Sequence, residues 1–105
     1  MLDFSHAGLS GQYVSLAYFP PLTARTLIAT VVAGPIPDDL TTLAIVIQRK
    51  DSGSEWHDAG GLSTNGNGSM TGSTSYLNCT PGVAFRVFAT IVGGLVPVTL
   101  TTAVQ

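Results

Sequence analysis

The chain has 105 residues, a formal net charge of −2 and a single cysteine, which together suit one domain of modest core and exclude an intrachain disulfide. Only four Lys and Arg stand against six Asp and Glu, with no basic cluster, so nothing here draws nucleic acid. Hydrophobic residues make up 45% and mean hydropathy is +0.39, which excludes disorder by composition.

Taken in chain order, residues 1–12 hold no clear period and contain Gly8 and Gly11, so they read as an N-terminal arm or edge segment. Residues 13–105 read as a single β domain. Tyr13–Phe19 alternates, with Val14, Leu16 and Tyr18 on one face, and predicts a strand that Pro20-Pro21 stops. Thr26–Ala33 is almost continuously apolar and predicts a second strand. The loop Gly34–Asp39 separates it from Thr41–Lys50, where Leu43, Ile45 and Ile47 form one face and Ala44, Val46 and Gln48 the other. A hairpin turn over Asp51–Ser54 leads into a short strand with Trp56, then a glycine-rich loop from Gly60 to Gly68. Ser69–Asn78 predicts a weak strand. Ala84–Val92 and Val96–Val104 predict two more, joined by a turn at Gly93-Gly94. The core expected from this pattern holds Leu27 or Ile28, Ile45, Ile47, Phe85, Val87, Val98 and Leu100. No stretch carries a helical period with caps. The fold class is therefore all-β, an antiparallel two-sheet sandwich of about seven strands.

The apolar runs are too short for a spanning helix, which predicts no membrane insertion. Met-Leu-Asp-Phe-Ser-His lacks the basic and apolar regions of a secretory leader.

The run IVIQRKDSGSEW over Ile45–Trp56, then Tyr76-Leu77, then Pro81-Gly82-Val83-Ala84-Phe85-Arg86-Val87, resembles immunoglobulin-like and fibronectin-III-like domains. The resemblance covers residues 40–92 and implies a Greek-key sandwich. It implies little about activity, because such folds host many roles. Phe85 stands where a tyrosine corner has Tyr, and the inter-sheet cysteine pair is missing. Both departures point to a bacterial or phage type of domain rather than an antibody one.

Candidate chemistry is sparse. Neighbours in a strand face opposite ways, so His57 and Asp58 do not form a pair. Asp38-Asp39 with Asp51 or Asp58 lacks the alternating spacing of a calcium loop, and solvated turns explain these acids. No Ser-His-Asp constellation, zinc spacing or phosphate loop is legible. Asn67-Gly68-Ser69 and Asn78-Cys79-Thr80 match the glycosylation pattern by chance. Cys79 reads as a small buried hydrophobe. Neither an enzyme, a metal nor a cofactor is expected.

The outward faces carry the more informative signal. With Ile45, Ile47, Phe85 and Val87 inside, Ala44, Val46, Phe88 and Val92 face outward, flanked by Thr99 and Thr101. Such a face predicts an interface. The expected function is a non-enzymatic structural or interaction protein acting through self-assembly. Its expected setting is a virion, as a capsid-decoration, head-fibre or tail-associated subunit beside copies of itself or other virion proteins. The alternative is a secreted or cell-surface binding module for carbohydrate, with Trp56 as the ligand platform.

Overall fold

The computed structural model describes residues 2–51, 53, 55–65 and 68–105, with the side chain of Asn65 set aside. Ser52 and Ser54 of the expected hairpin turn, and Gly66 and Asn67 of the expected loop, lie outside the described residues. Six antiparallel strands hold well over half of the chain: β1 Phe4–Val14, β2 Thr26–Ala33, β3 Thr42–Lys50, β4 His57–Asn65, β5 Thr71–Asn78 and β6 Ala84–Val104. The all-β expectation holds. The seven-strand, two-sheet arrangement does not: one sheet runs β4-β3-β6-β2-β5, with β1 also on β6.

The difference lies in β6. Its 21 residues are the two final strands of the expected pattern joined without a turn. The first half pairs with β3, from Lys50 opposite Ala84 to Thr42 opposite Val92. The second half pairs with β2, from Ala33 opposite Val98 to Leu27 opposite Val104. β1 accompanies both halves, from Val14 opposite Phe88 to Phe4 opposite Leu100. Between them the buried positions switch from Phe85, Val87, Ala89 and Ile91 to Val96, Val98 and Leu100. β6 takes five steps from Ile91 to Val96 where β1 takes two from Gly11 to Leu9, and a bulge of extra residues bends a strand without ending it.

Gly93 makes the bend possible. Its φ of 112° disfavours any side chain, and a Cβ there would stand 2.8 Å from Thr41 Oγ1. The loop between β2 and β3 fills the inside of the bend. Thr41, fully buried, donates its hydroxyl to Asp38 Oδ1 at 2.9 Å and accepts the Gly94 N–H at 3.0 Å. Asp38 Oδ1 also accepts the Leu40 N–H at 2.9 Å, the local backbone bond expected of a turn aspartate.

Bent at one end, the sheet folds over on itself and nearly closes into a barrel. β4 and β5, the two ends of the strand order, come alongside each other without pairing. A Cβ on Gly60 would lie 2.6 Å from Ser75 Oγ. This approach is why a glycine-rich segment, expected as loop, is strand: β4 needs the missing side chains. The enclosed core unites all seven positions named from the pattern, with Leu27 rather than Ile28 fully inside, and Phe85 its largest member. On the opposite flank Phe4, His6 and Tyr13 bridge the two halves of β1, with the Phe4 and Tyr13 rings 5.0 Å apart.

Residues expected as an arm or edge segment are thus mostly strand, and β1 crosses the expected boundary at residue 12. The segment expected as a strand over Tyr13–Phe19 keeps only a tail. Ser15 N–H bonds Val87 O at 3.0 Å, and Tyr18 exchanges backbone hydrogen bonds with Phe85. Val14 and Leu16, expected on one face, are both exposed, Leu16 at 90%.

Candidate functional site

Two surfaces gather the residues singled out from the sequence. The first is the outer face of β1, β6 and β3. Inward Val87 and Ala89 force Phe88 outward, where the register sets it between Val14 and Val46. Ala44 lies further along β3, and Val92, exposed, faces Thr42. Beside Val46, Gly60 and Gly61 leave a shallow hollow of about 330 Å³ bordered by Leu62 and Ser63. Ala44, Val46, Phe88 and Val92 therefore share one face. Thr99 and Thr101 do not join it. They lie beyond the bend, paired with β2, where Thr99 Oγ1 meets Ser5 Oγ at 3.2 Å. The bulge in β6 separates the two sets.

The second surface is a cleft of about 230 Å³ at the end of the molecule opposite the bend, lined by Phe19, Lys50, Asp51, Trp56, Gly82 and Ala84 among others. Lys50 and Ala84 are register partners, and the Tyr18–Phe85 bridge carries Phe19 alongside. Ala84 is the small residue in the middle of a row of long ones, so the sheet surface has a notch there. Gly82 adds no side chain. Trp56, half-buried, leans over the neighbouring row: Arg86 Cζ lies 4.4 Å from its ring centroid and Lys50 Nζ 5.8 Å. Phe19 is 67% exposed. Sequence pattern singled out Trp56 but not Phe19 or Lys50, because their approach depends on long-range pairing that no local period encodes.

The charged groups around the cleft are mutually braced. Arg86 Nε donates to Gln48 Oε1 at 2.7 Å, and Gln48 Nε2 donates to Asp58 Oδ1 at 3.2 Å. Arg49 donates to Asp51, Thr80 Oγ1 and the Asn78 carbonyl. Its contact with Asp51, 2.9 Å, is the only ion pair among the described residues. Arg49 also lies 5.8 Å over the Phe85 ring. Burial pushes the Cys79 thiol above its ordinary range, against the opposing pull of Arg49.

His57 and Asp58 are exposed neighbours on β4, and His57 lies opposite Arg49. Asp38, Asp51 and Asp58 stand in three separate hydrogen-bonded settings. Among the described residues no three His, Cys, Asp or Glu side chains gather as metal ligands would.

Compared with known proteins, the chain matches no family model and no curated sequence.

Proposed function

We propose that this protein is a non-enzymatic structural or interaction module that works by self-assembly. The observation that carries this reading is the apolar row Val14–Phe88–Val46 on the outer face of β1, β6 and β3. Val14 is 48% exposed, and Val92, on the same face, is 61%. Water solvates such a row poorly, and covering it with another molecule is favourable in proportion to the apolar area removed. Low charge helps, because little like-charge repulsion opposes contact between copies. A virion subunit repeated by symmetry is the setting that makes best use of one weak patch per chain. Kinship with immunoglobulin-like domains of bacterial or phage type belongs to the same proposal. The neighbours β3–β6 and β2–β5 fit it, and the unbroken β6 departs from it.

Native mass spectrometry and light scattering test the reading. The wild-type chain should form a discrete oligomer or attach to a particle. Phe88→Asp should fold normally and remain monomeric. A wild-type monomer that attaches to nothing would end the proposal.

The Trp56 cleft favours a second reading, a binding module for carbohydrate. An exposed Phe19 and a half-buried Trp56 around a notch offer apolar surface with polar groups at its margin, the usual make-up of a small-molecule site. The two readings use different stretches of the same outer face, Ala84 and Phe88 standing four residues apart along β6, and are separable by mutation.

A further inference from the structure

We infer that the notch over Ala84, between Phe19 and Trp56, is a subsite for one carboxylate-bearing pyranose of an acidic saccharide. This rests on the carbohydrate-binding reading and adds to it the charge of the ligand and the residues that select it.

Size comes first. A cleft of about 230 Å³ falls below the roughly 300–1,000 Å³ of drug-sized sites, so it suits a single ring rather than an extended ligand. Its floor is small or bare, at Ala84 and Gly82, and its walls are Phe19 and Trp56. A pyranose presents a C–H face that packs on aromatic surface, and its hydroxyls stay near the open side.

Charge decides between a neutral and an acidic sugar. Lys50 and Arg86 both approach the Trp56 ring, at 5.8 and 4.4 Å. The one carboxylate lining the cleft, Asp51, is taken up by Arg49. Arg86 is held by the neutral Gln48 amide. The cleft therefore keeps one lining cation, Lys50, without a direct carboxylate partner among the described residues, and Arg86 stands against the Trp56 ring, in a chain whose net charge is −2. A ligand carboxylate placed over the notch meets the Lys50 ammonium while its ring lies against the aromatic walls. A neutral sugar would leave that ammonium uncompensated. Free carboxylates without a ring would forgo the aromatic surface.

Trp56 is the only tryptophan of the chain, so its fluorescence reports on this cleft alone. The experiment titrates the full chain with a panel of uronic acid trimers and sialyllactose. Methyl esters of the same sugars serve as neutral controls. The expected result is a saturable change in Trp56 emission for at least one acid, with its ester binding at least tenfold more weakly. Raised salt should weaken the acid and not the ester. Phe19→Ala, at an exposed position that leaves the fold intact, should weaken both forms about tenfold. Lys50→Gln should erase the difference between acid and ester. If acid and ester bind equally to the wild type, the acidic assignment falls and the carbohydrate reading stands. If no sugar of either form changes the emission, both fall. If Lys50→Gln keeps the preference for acid, Lys50 is not the selecting group and the inference fails.

Discussion

The two ends of the molecule solve opposite problems with the same kind of residue. At the bend, the exposed Asp38 does a job of structure: it holds Leu40 N–H and the buried Thr41 hydroxyl, which in turn holds Gly94. At the cleft end, Asp51 is 55% exposed and balances Arg49 across a surface ion pair. The bend has exposed apolar residues around it, Leu40, Val92, Leu95 and Met70, while the cleft end carries Arg49, Lys50 and Arg86. The cations thus gather at the end that carries the cleft and Trp56. Where the backbone must be forced into shape, hydrogen bonds to one carboxylate and absent side chains act instead.

Substitutions at the two ends should divide accordingly. The largest loss is expected under the cleft, where Phe85 seals the core beneath Arg49. Phe85→Ala should cost roughly 3–5 kcal/mol, read as a lowered denaturant midpoint. An unchanged midpoint would mean that the core does not depend on its largest side chain. At the bend, Thr41→Val keeps the shape and removes the hydroxyl, leaving the Gly94 N–H without its acceptor. A cost of about 1–3 kcal/mol is expected. Gly93→Ala should add strain of about 1–3 kcal/mol at the same place, because its φ is 112°. If either is neutral, the bend is held by something other than the loop packed inside it.

The sharpest comparison is between the two aspartates. Asp38→Ala should cost about 1–2 kcal/mol, as loss of a side-chain cap does. Asp51→Ala should cost no more than about 1 kcal/mol, because its pair with Arg49 is solvent-screened. Salt should narrow the Asp51 effect and leave the Asp38 effect alone. Equal effects at the two sites would erase the distinction drawn between the ends. The smallest change concerns Cys79, whose thiol is raised by burial: alkylation at neutral pH should run slower than for a free thiol, with no change in folding before reaction.

Much of the interior was legible from period alone. In β2, β3 and both halves of β6, apolar side chains recur every second residue, and those residues form the core. Three features were not legible, each for a physical reason. Gly93-Gly94 suits a hairpin turn or a bulge equally well; the choice depends on Pro37 and Thr41 packing against it from more than fifty residues away. β1 is an edge strand with register shifts around Leu9, so its side chains follow no steady alternation. β4 owes its glycines to the approach of β5 and the β3 backbone, a demand visible only once the sheet has curled. The candidate interface suffered from the first of these. Reading a turn at Gly93 set Thr99 and Thr101 beside Phe88, whereas the bend carries them to the other half of the sheet.

The unbroken β6 has a consequence for how the molecule is made. It is the last strand of the chain, and β1, β2 and β3 all pair with it. During synthesis only β3–β4 and β2–β5 have partners in hand before β6 emerges, so β1 waits for β6 before the two can be placed. Their closure spans almost the whole length of the chain, the kind of long-range pairing that makes folding slow. Until it happens, the edges of β2 and β3 stay open to strands of other molecules.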